Sequence, residues 1–368
     1  MNNACLVLSK KINTADKGVE AVLRAFGASG YPFDEIRILL QSDEQRVCEA
    51  LKTFKTNVDT LLLLTDKTAL PIAQRYISNV FGESAIQNLF GGAGIYPDKK
   101  CTVFWLSADE TETGVAYVKN ACIPYMQQKN GLRYDKLTVR AVGANEARIM
   151  GLIAEAQNKS GGKIFCLHTR KNDEDVIEIL YDGNAPKMLV DDVLRLFVDG
   201  LGDTVYALNT DATLEEQLIT LLKLRRRKIS VAESFTGGGI AKRITSVAGA
   251  SEVYFEGLNT YDELSKIKRL GVSEYTLQTA GAVSDQTAYE MALGLLKTGN
   301  CDISIATTGL AGPKSDRSML PVGLCYIAVG LKERVFVYRY KFDGNREEIT
   351  EKAINYALFL AYKQLKNL

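Results

Sequence analysis

Three side chains in the last third of the chain carry the first chemical suggestion. Ser251, Tyr261 and Lys266 fall within Gly249–Lys266, GASEVYFEGLNTYDELSK, at offsets of ten and fifteen. A serine hydroxyl becomes a nucleophile only when a base takes its proton. Lysine can be that base if burial brings its pKa down from about 10.4 towards neutrality, with a tyrosine in hydrogen-bond reach. The same spacing also suits a surface serine and a solvated lysine. Histidine competes little, because the chain has one, His168, in Ile164–Arg170. That stretch reads as a strand entering a loop, where a structural or surface histidine is the ordinary case. A Ser-His-Asp triad, a Cys-His dyad or a His-rich metal site would all have to use it. Acid–base chemistry elsewhere must run on Lys, Tyr, Asp, Glu or Cys.

Three further motifs stand nearby. Ala232–Gly239, AESFTGGG, follows a strand and opens a helix. Thr236 could cap that helix through its hydroxyl. Three consecutive glycines cost helix propensity, on the order of 1 kcal/mol each. Close backbone approach to an anionic ligand at a helix start would explain them, and so would tight helix–sheet packing. Glu233, at the strand's end, could orient a site group or face a neighbouring loop. Ile303–Pro313, ISIATTGLAGP, runs a strand into a Gly-rich turn, placing Thr307, Thr308 and Gly309 where α/β sheets hold ligand groups. Asp343–Arg346, DGNR, starts the last helix, and Arg346 could grip a phosphate or stand solvated.

The elements needed to position these groups are legible as alternating β and α segments. In the first part, Ala4–Leu8, Glu35–Leu40, Val58–Thr65 and Cys101–Leu106 read as strands. Helices read at Asp16–Phe26, Glu44–Phe54, about 69–81 and about 110–126. VDTLLLLT at Val58–Thr65 is apolar on both faces, as parallel strands are. Gln127–Arg133 reads as a linker. Residues 134–208 then give β-α-β-β-α-β, the ferredoxin-like order, with Gly161–Gly162 turning into its second strand. From about 212 a third α/β piece follows. Its strands read at Ser230–Glu233, Glu252–Tyr261, Ile303–Thr307, Val322–Val329 and Arg334–Tyr340. Its helices read at Leu214–Lys223, around Ile240–Thr245, at Ser284–Thr298 and at Glu347–Tyr362. The fold class is α/β in three domains: 1–130, 134–208 and 212–368.

Composition excludes several classes. Among 368 residues, 45 Lys and Arg balance 44 Asp and Glu, a net charge of +1. That excludes a global electrostatic grip on nucleic acid, and the basic run Arg225–Lys228 reads as a solvated helix end. Seven widely spaced cysteines with no C-x-x-C make neither a disulfide framework nor a zinc site. No apolar run reaches the roughly 20 residues that span a bilayer. Met1–Lys11 lacks the basic lead and cleavage site of a signal peptide, so the expected compartment is the cytoplasm, with no membrane partner.

Taken together, the motifs resemble the CinA family, whose C-terminal domain is a nicotinamide-nucleotide amidase. The resemblance rests on AES-x-TGG at Ala232–Gly238, G-x-S at Gly249–Ser251, TY…K at Thr260–Lys266 and LGV at Leu270–Val272. GAVS at Gly281–Ser284, TG-x-AGP at Thr308–Pro313, PVG at Pro321–Gly323 and G-x-R at Gly344–Arg346 complete it. Residues 1–130 look like the family's molybdopterin-binding-like domain, and 134–208 like its KH-type domain.

The resemblance implies hydrolysis of the carboxamide of nicotinamide mononucleotide to nicotinic acid mononucleotide and ammonia. It makes Ser251 the nucleophile and Tyr261 with Lys266 the base system. Glu233, Ser234, Thr236, Gly237, Gly238, Thr308, Gly309 and Arg346 would bind substrate. No metal or cofactor is implied, and a homodimer is suggested. Departures are Phe235 for a usual Cys, Asp262–Ser265 (DELS) for S-N-E-A, and Lys314–Leu320 (KSDRSML) for a Gly-rich loop. A non-catalytic nucleotide-binding or assembly role is the alternative these changes favour. In the first domain Leu8–Lys10, Asp66–Pro71 and Ser107–Asp109 replace the family's glycine and acid loops. Pyrophosphatase chemistry is therefore not expected there. The KH-like part has Asn145–Met150 (NEARIM) in place of a G-x-x-G loop, so nucleic acid is not an expected partner.

Overall fold

A computed structural model describes residues 2–10, 17–82, 87–88, 93–98, 100–131, 133–314, 319–332 and 334–368. Asp16, the expected start of the first helix, and residues 315–318 of the altered loop lie outside them. Among the described residues there are three sheets, one in each expected segment. The chain packs as two compact units. One holds Met1–Lys136, Gln157–Leu167 and Glu178–Val190, and the other holds Leu137–Ala156, His168–Ile177 and Asp191–Leu368. Among the described residues no helix is long and apolar enough to cross a membrane.

The first sheet contains β1 (Asn3–Ser9), β2 (Glu35–Leu40), β3 (Thr60–Thr65), β4 (Gln87–Asn88), β5 (Gly94–Tyr96) and β6 (Thr102–Ser107), in the order β2-β1-β3-β6-β5-β4. The first four in that order are parallel. The short β5 and β4 add antiparallel, which the reading as a wholly parallel sheet missed. Both faces are covered. Leu61, Leu63 and Trp105 pack with α2 (Glu44–Asn57) and α3 (Leu70–Phe81), while Leu62, Leu64 and Phe104 pack with α1 (Lys17–Gly27). After β6, α4 (Thr111–Tyr117) passes through a π-helical turn into α5 (Ile123–Asn130), which ends at Gly131 with φ 65°. Most of the expected linker at 127–133 is therefore the last turn of α5.

The second sheet has β7 (Tyr134–Val142), β8 (Ile164–Lys171), β9 (Glu174–Asp182) and β10 (Val205–Leu208), with α6 (Glu146–Ser160) and α7 (Lys187–Leu201) between them. Its order β10-β7-β9-β8 places the fourth strand beside the first and the third beside the second. That is the order a ferredoxin-like fold requires.

The third sheet has β11 (Ile229–Glu233), β12 (Tyr254–Asn259), β13 (Ile303–Gly309), β14 (Leu324–Leu331) and β15 (Arg334–Lys341), in the order β12-β11-β13-β14-β15. β12, β11 and β13 are parallel; β14 and β15 return antiparallel. Its helices are α8 (Leu214–Leu224), α9 (Gly239–Thr245), α10 (Glu263–Leu270), α11 (Glu274–Thr279), α12 (Asp285–Lys297) and α13 (Arg346–Lys366). One face presents Ile229, Val231, Ile303, Ile305, Ile327 and Val329 to α8, α9 and α13. The other presents a row of three alanines in register, Ala232, Ala306 and Ala328, to α12. Small side chains there let the helix come close, and the Ser304 hydroxyl reaches the Ala292 carbonyl at 2.8 Å.

The same tightness recurs between helices. A Cβ built on Gly294 of α12 would stand 2.1 Å from the Leu270 carbonyl oxygen that ends α10, whereas one on Gly151 of α6 would meet nothing. Gly294→Ala should therefore destabilise by about 1–3 kcal/mol through overpacking. Gly151→Ala should stabilise by roughly 0.5–1 kcal/mol through helix propensity. Chemical denaturation midpoints of the two variants check both signs.

Candidate functional site

The parallel strands β12, β11 and β13 end side by side, with Asn259 paired to Glu233 and Glu233 to Thr307. The residues just past those ends are therefore forced together: Ser234 after β11, Thr260 and Tyr261 after β12, and Thr308 on β13. The backbone ties them, since the Ser234 amide donates to the Thr307 carbonyl and the Thr260 amide to the Glu233 carbonyl.

Into this junction α10 inserts a lysine. Lys266 is 1 % exposed, and its Nζ donates to the carbonyls of Thr260 at 2.7 Å and Tyr261 at 3.1 Å and to the Ser234 hydroxyl at 3.1 Å. Burial lowers the Lys266 pKa, with Glu263 and Asp262 pulling weakly the other way. An ammonium has three N–H donors and no acceptor. Two of these go to carbonyls, which can only accept. When the lysine is neutral, its lone pair faces the one partner that can reverse the bond, the Ser234 O–H. The unfolded lysine stays protonated through the pH window in which the folded one has released its proton. In that window this group's contribution to stability rises with pH.

Glu233 has a different task from substrate contact. It is 1 % exposed, and its carboxylate accepts from the amides of Gly238 at 3.1 Å, Ile240 at 3.1 Å and Ala241 at 2.8 Å. The expected anion site at the start of α9 is thus already filled by the chain's own carboxylate. The N-cap is Gly238 (φ 94°), preceded by Gly237 (φ 62°), two left-handed positions that explain two of the three glycines. Gly239 is fixed by packing, since a Cβ there would stand 2.4 Å from Ile354 Cδ1. Thr236 does not cap the helix: its hydroxyl shares a 2.7 Å bond with Thr307. Among the described residues the amides of Phe235 and Thr236, directly after Ser234, have no acceptor. Phe235 itself packs with Ala311, Cys325, Phe342, Ile349 and Ala353.

The remaining sequence candidates divide. Thr308 donates to the Ala282 carbonyl at 2.6 Å, and Gly309 admits no Cβ against Cys325. Arg346 donates to the Gly312 carbonyl at 2.7 Å and the Tyr261 hydroxyl at 3.3 Å, joining three loops at the rim. Tyr261 meets Lys266 through its carbonyl; its phenol is exposed. Ser251 is not brought to this site. It is exposed in a turn before β12, beside Glu252, which pairs with Lys223 at the end of α8. The whole of β12, about 20 Å at ~3.3 Å per residue, runs between it and Thr260. Sequence reasoning singled out Thr307 but missed the role of the Thr260 carbonyl and the pairing of Ser234 with Lys266, although these residues stand in motifs it had singled out.

Burial disfavours the thiolate form of the cysteines. Burial pushes Cys101, Cys166 and Cys325 up to about 12, and Cys5, Cys48, Cys122 and Cys301 in the same direction. In the first domain, Lys10 bonds Thr68 and lies 3.5 Å from Asp66, and Asp109 accepts from the Lys67 amide. The cavity between those loops is about 50 Å³, room for a water or two.

Residues 211–365 match the family model described as the CinA C-terminal domain. A Caldicellulosiruptor saccharolyticus protein named as competence-damage inducible is 36% identical over 256 residues, covering 67% of this chain and 60% of its own length. A CinA-like protein of Kosmotoga olearia is 32% identical over 244 residues, covering 65% and 58%. The chain thus spans less than two thirds of these curated relatives. The crystal structure of the competence/damage inducible protein CihA from Agrobacterium tumefaciens is 38% identical, covers 40% of this chain and 90% of its own, and aligns with a TM-score of 0.39.

The Glu233 contacts generate a test of their own. Glu233→Gln keeps the shape but exchanges an accepting oxygen for a donating NH2 facing amide N–H groups. Stability should fall by about 1–3 kcal/mol, the cost of leaving buried donors unpaired. Thermal unfolding of the variant checks it.

Proposed function

We propose, from the match of residues 211–365 to the CinA C-terminal domain, that the chain is a serine amidohydrolase acting on a nicotinamide nucleotide, with Ser234 as nucleophile and Lys266 as base. One observation carries this reading: a buried lysine with a lowered pKa whose third hydrogen bond is to the hydroxyl of a strand-end serine. Ser–Lys pairs are a known variant of hydroxyl activation. A strand-to-helix turn that carries the nucleophile next to backbone amides is the arrangement such hydrolases use, and here it holds Ser234 buried at 8 % exposure.

Neutral Lys266 accepts the Ser234 proton as Oγ attacks the carboxamide carbon. The developing oxyanion takes hydrogen bonds from the Phe235 and Thr236 amides, which have no other acceptor among the described residues. Lys266 then returns the proton to the departing nitrogen, releasing ammonia and leaving an ester on Ser234. Water, deprotonated by the same lysine, cleaves the ester to the carboxylic acid. Arg346 stands at the rim with a planar guanidinium suited to phosphate. It can turn to the substrate by giving up Gly312 and Tyr261. The start of α9 is closed to the phosphate by Glu233, so Arg346 bears more of that recognition.

Ammonia release from nicotinamide mononucleotide is the direct test. Ser234→Ala should lower kcat by several orders of magnitude, while Ser251→Ala should leave it within a fewfold of the parent. The reverse outcome would return the nucleophile to Ser251 and discard this geometry. Lys266→Arg should be as inactive as Lys266→Met, because a guanidinium does not deprotonate. The rate should rise with pH through a midpoint below the ~10.4 of an exposed lysine. Arg346→Ala should act mainly on KM.

A further inference from the structure

A polar side chain is buried in the middle of α13, where its neighbours are apolar. Asn355 is 3 % exposed, and Ala353, Ile354, Ala357 and Leu358 around it on the helix are buried too. Burying an amide costs free energy unless its oxygen and its NH2 both find partners. Both do, and neither partner is local. Oδ1 accepts from Arg243 Nη1 of α9 at 2.7 Å, and Nδ2 donates to the Asn172 carbonyl at 2.8 Å. Arg243 sends its other nitrogen, Nη2, to Glu215 of α8 at 2.5 Å. One amide therefore joins α13, α9 and the turn between β8 and β9, all within the unit that holds 191–368.

The turn is a firm support. Its two residues, Asn172 (φ 51°) and Asp173 (φ 60°), are both left-handed, the tight hairpin form that suits strand twist. The Asp173 carbonyl accepts from the Gly143 amide at 2.8 Å, and its carboxylate from Arg170 Nη2 at 3.2 Å. A carbonyl held in this way fixes the amide's orientation: the NH2 must face Asn172, so the oxygen must face Arg243, which can only donate. On its other side α13 meets the serine corner twice in succession. Ile354 packs so closely on Gly239 that a Cβ there would stand 2.4 Å from its Cδ1, and Asn355 holds Arg243 in the same short helix. α13 also begins with Arg346, nine residues earlier. At 1.5 Å per residue that is about 13 Å of rigid helix.

We propose that Asn355 is a positioning residue for the reaction. Through Arg243 it holds α9, and with it the corner that carries Ser234, at a set distance from Arg346, and the β8–β9 turn orients its amide for that task. The kinetic part of this inference rests on the amidase reading. Glu233 fixes the corner within itself; Asn355 fixes the corner against the helix that grips the substrate's phosphate. A nucleotide anchored at Arg346 presents its carboxamide to Ser234 only while the two are in register, and a shift of about 1 Å costs up to ~10²-fold in rate. The loss falls on kcat, because Arg346 and its own contacts are untouched.

The test compares two variants of the full chain. Asn355→Leu keeps the volume and removes both bonds; Asn355→Asp keeps an acceptor for Arg243 and loses only the donation to Asn172. With nicotinamide mononucleotide, Asn355→Leu should lower kcat by about tenfold or more with KM within about twofold. Asn355→Asp should stay within about threefold of the parent. A role limited to stability predicts the opposite order, because both variants lose the bond to Asn172 and the aspartate sets a carboxylate against its carbonyl. Amide hydrogen exchange at Gly238, Ile240 and Ala241 should quicken by roughly fivefold or more in Asn355→Leu and not in Asn355→Asp. If Asn355→Leu does not fold, Arg243→Lys takes its place: it keeps a charge opposite Glu215 but cannot fork to both partners, and should show the same loss of kcat and the same faster exchange. Equal damage by Asp and Leu, an effect on KM in place of kcat, or unchanged exchange at the corner would each overturn the proposal. If the parent chain releases no ammonia, the amidase reading falls, and the exchange measurement decides the positioning by itself.

Discussion

A single buried carboxylate sets the geometry on which the rest of the serine's surroundings depend. Glu233 ends β11 and holds the amides of Gly238, Ile240 and Ala241, so strand, turn and helix form one rigid corner. Ser234 is the first residue of that corner. Its backbone direction is set on one side by the Thr307 carbonyl and on the other by the carboxylate closing the turn. A side chain held in this way can meet a lysine arriving from another helix without an entropic search. The carboxylate also determines what the turn cannot do, because amides already engaged with Glu233 are unavailable to a second anion.

Much of the scaffold was legible because its physics is local. Thr60–Thr65 is buried along its whole length, and an unbroken apolar run is what a parallel strand covered on both faces must have. The middle segment announced its order through the spacing of its strands, and the sheet order agrees. The losses are equally physical. β4 and β5 are two and three residues long, too short for any periodicity. α11 spans six residues with two of them buried, and offers no apolar stripe to read. α5 overran its expected end because Gln and Lys continue a helix readily, until Asn130 and the left-handed Gly131 end it.

The site was legible in its parts and not in its pairing. Lys266 was singled out, and so was the turn containing Ser234, yet 32 residues separate them and only the parallel register of β11 and β12 joins them. Ser251 stood closer in sequence, and closeness in sequence misleads when a strand lies between. A strand carries its two ends apart by its full length, so a serine before β12 and a lysine after it cannot meet. Thr236 illustrates the other limit. A threonine ahead of a helix suggests a cap, but Glu233 reaches the same amides with two oxygens and leaves the hydroxyl for Thr307.

The protonated sulfurs have a consequence of another kind. Oxidants and disulfides are attacked by the thiolate, not the thiol. All seven cysteines are unpaired, and burial raises the pKa of each. Burial that disfavours the thiolate therefore works against sulfenic acid and mixed disulfides forming at these sulfurs.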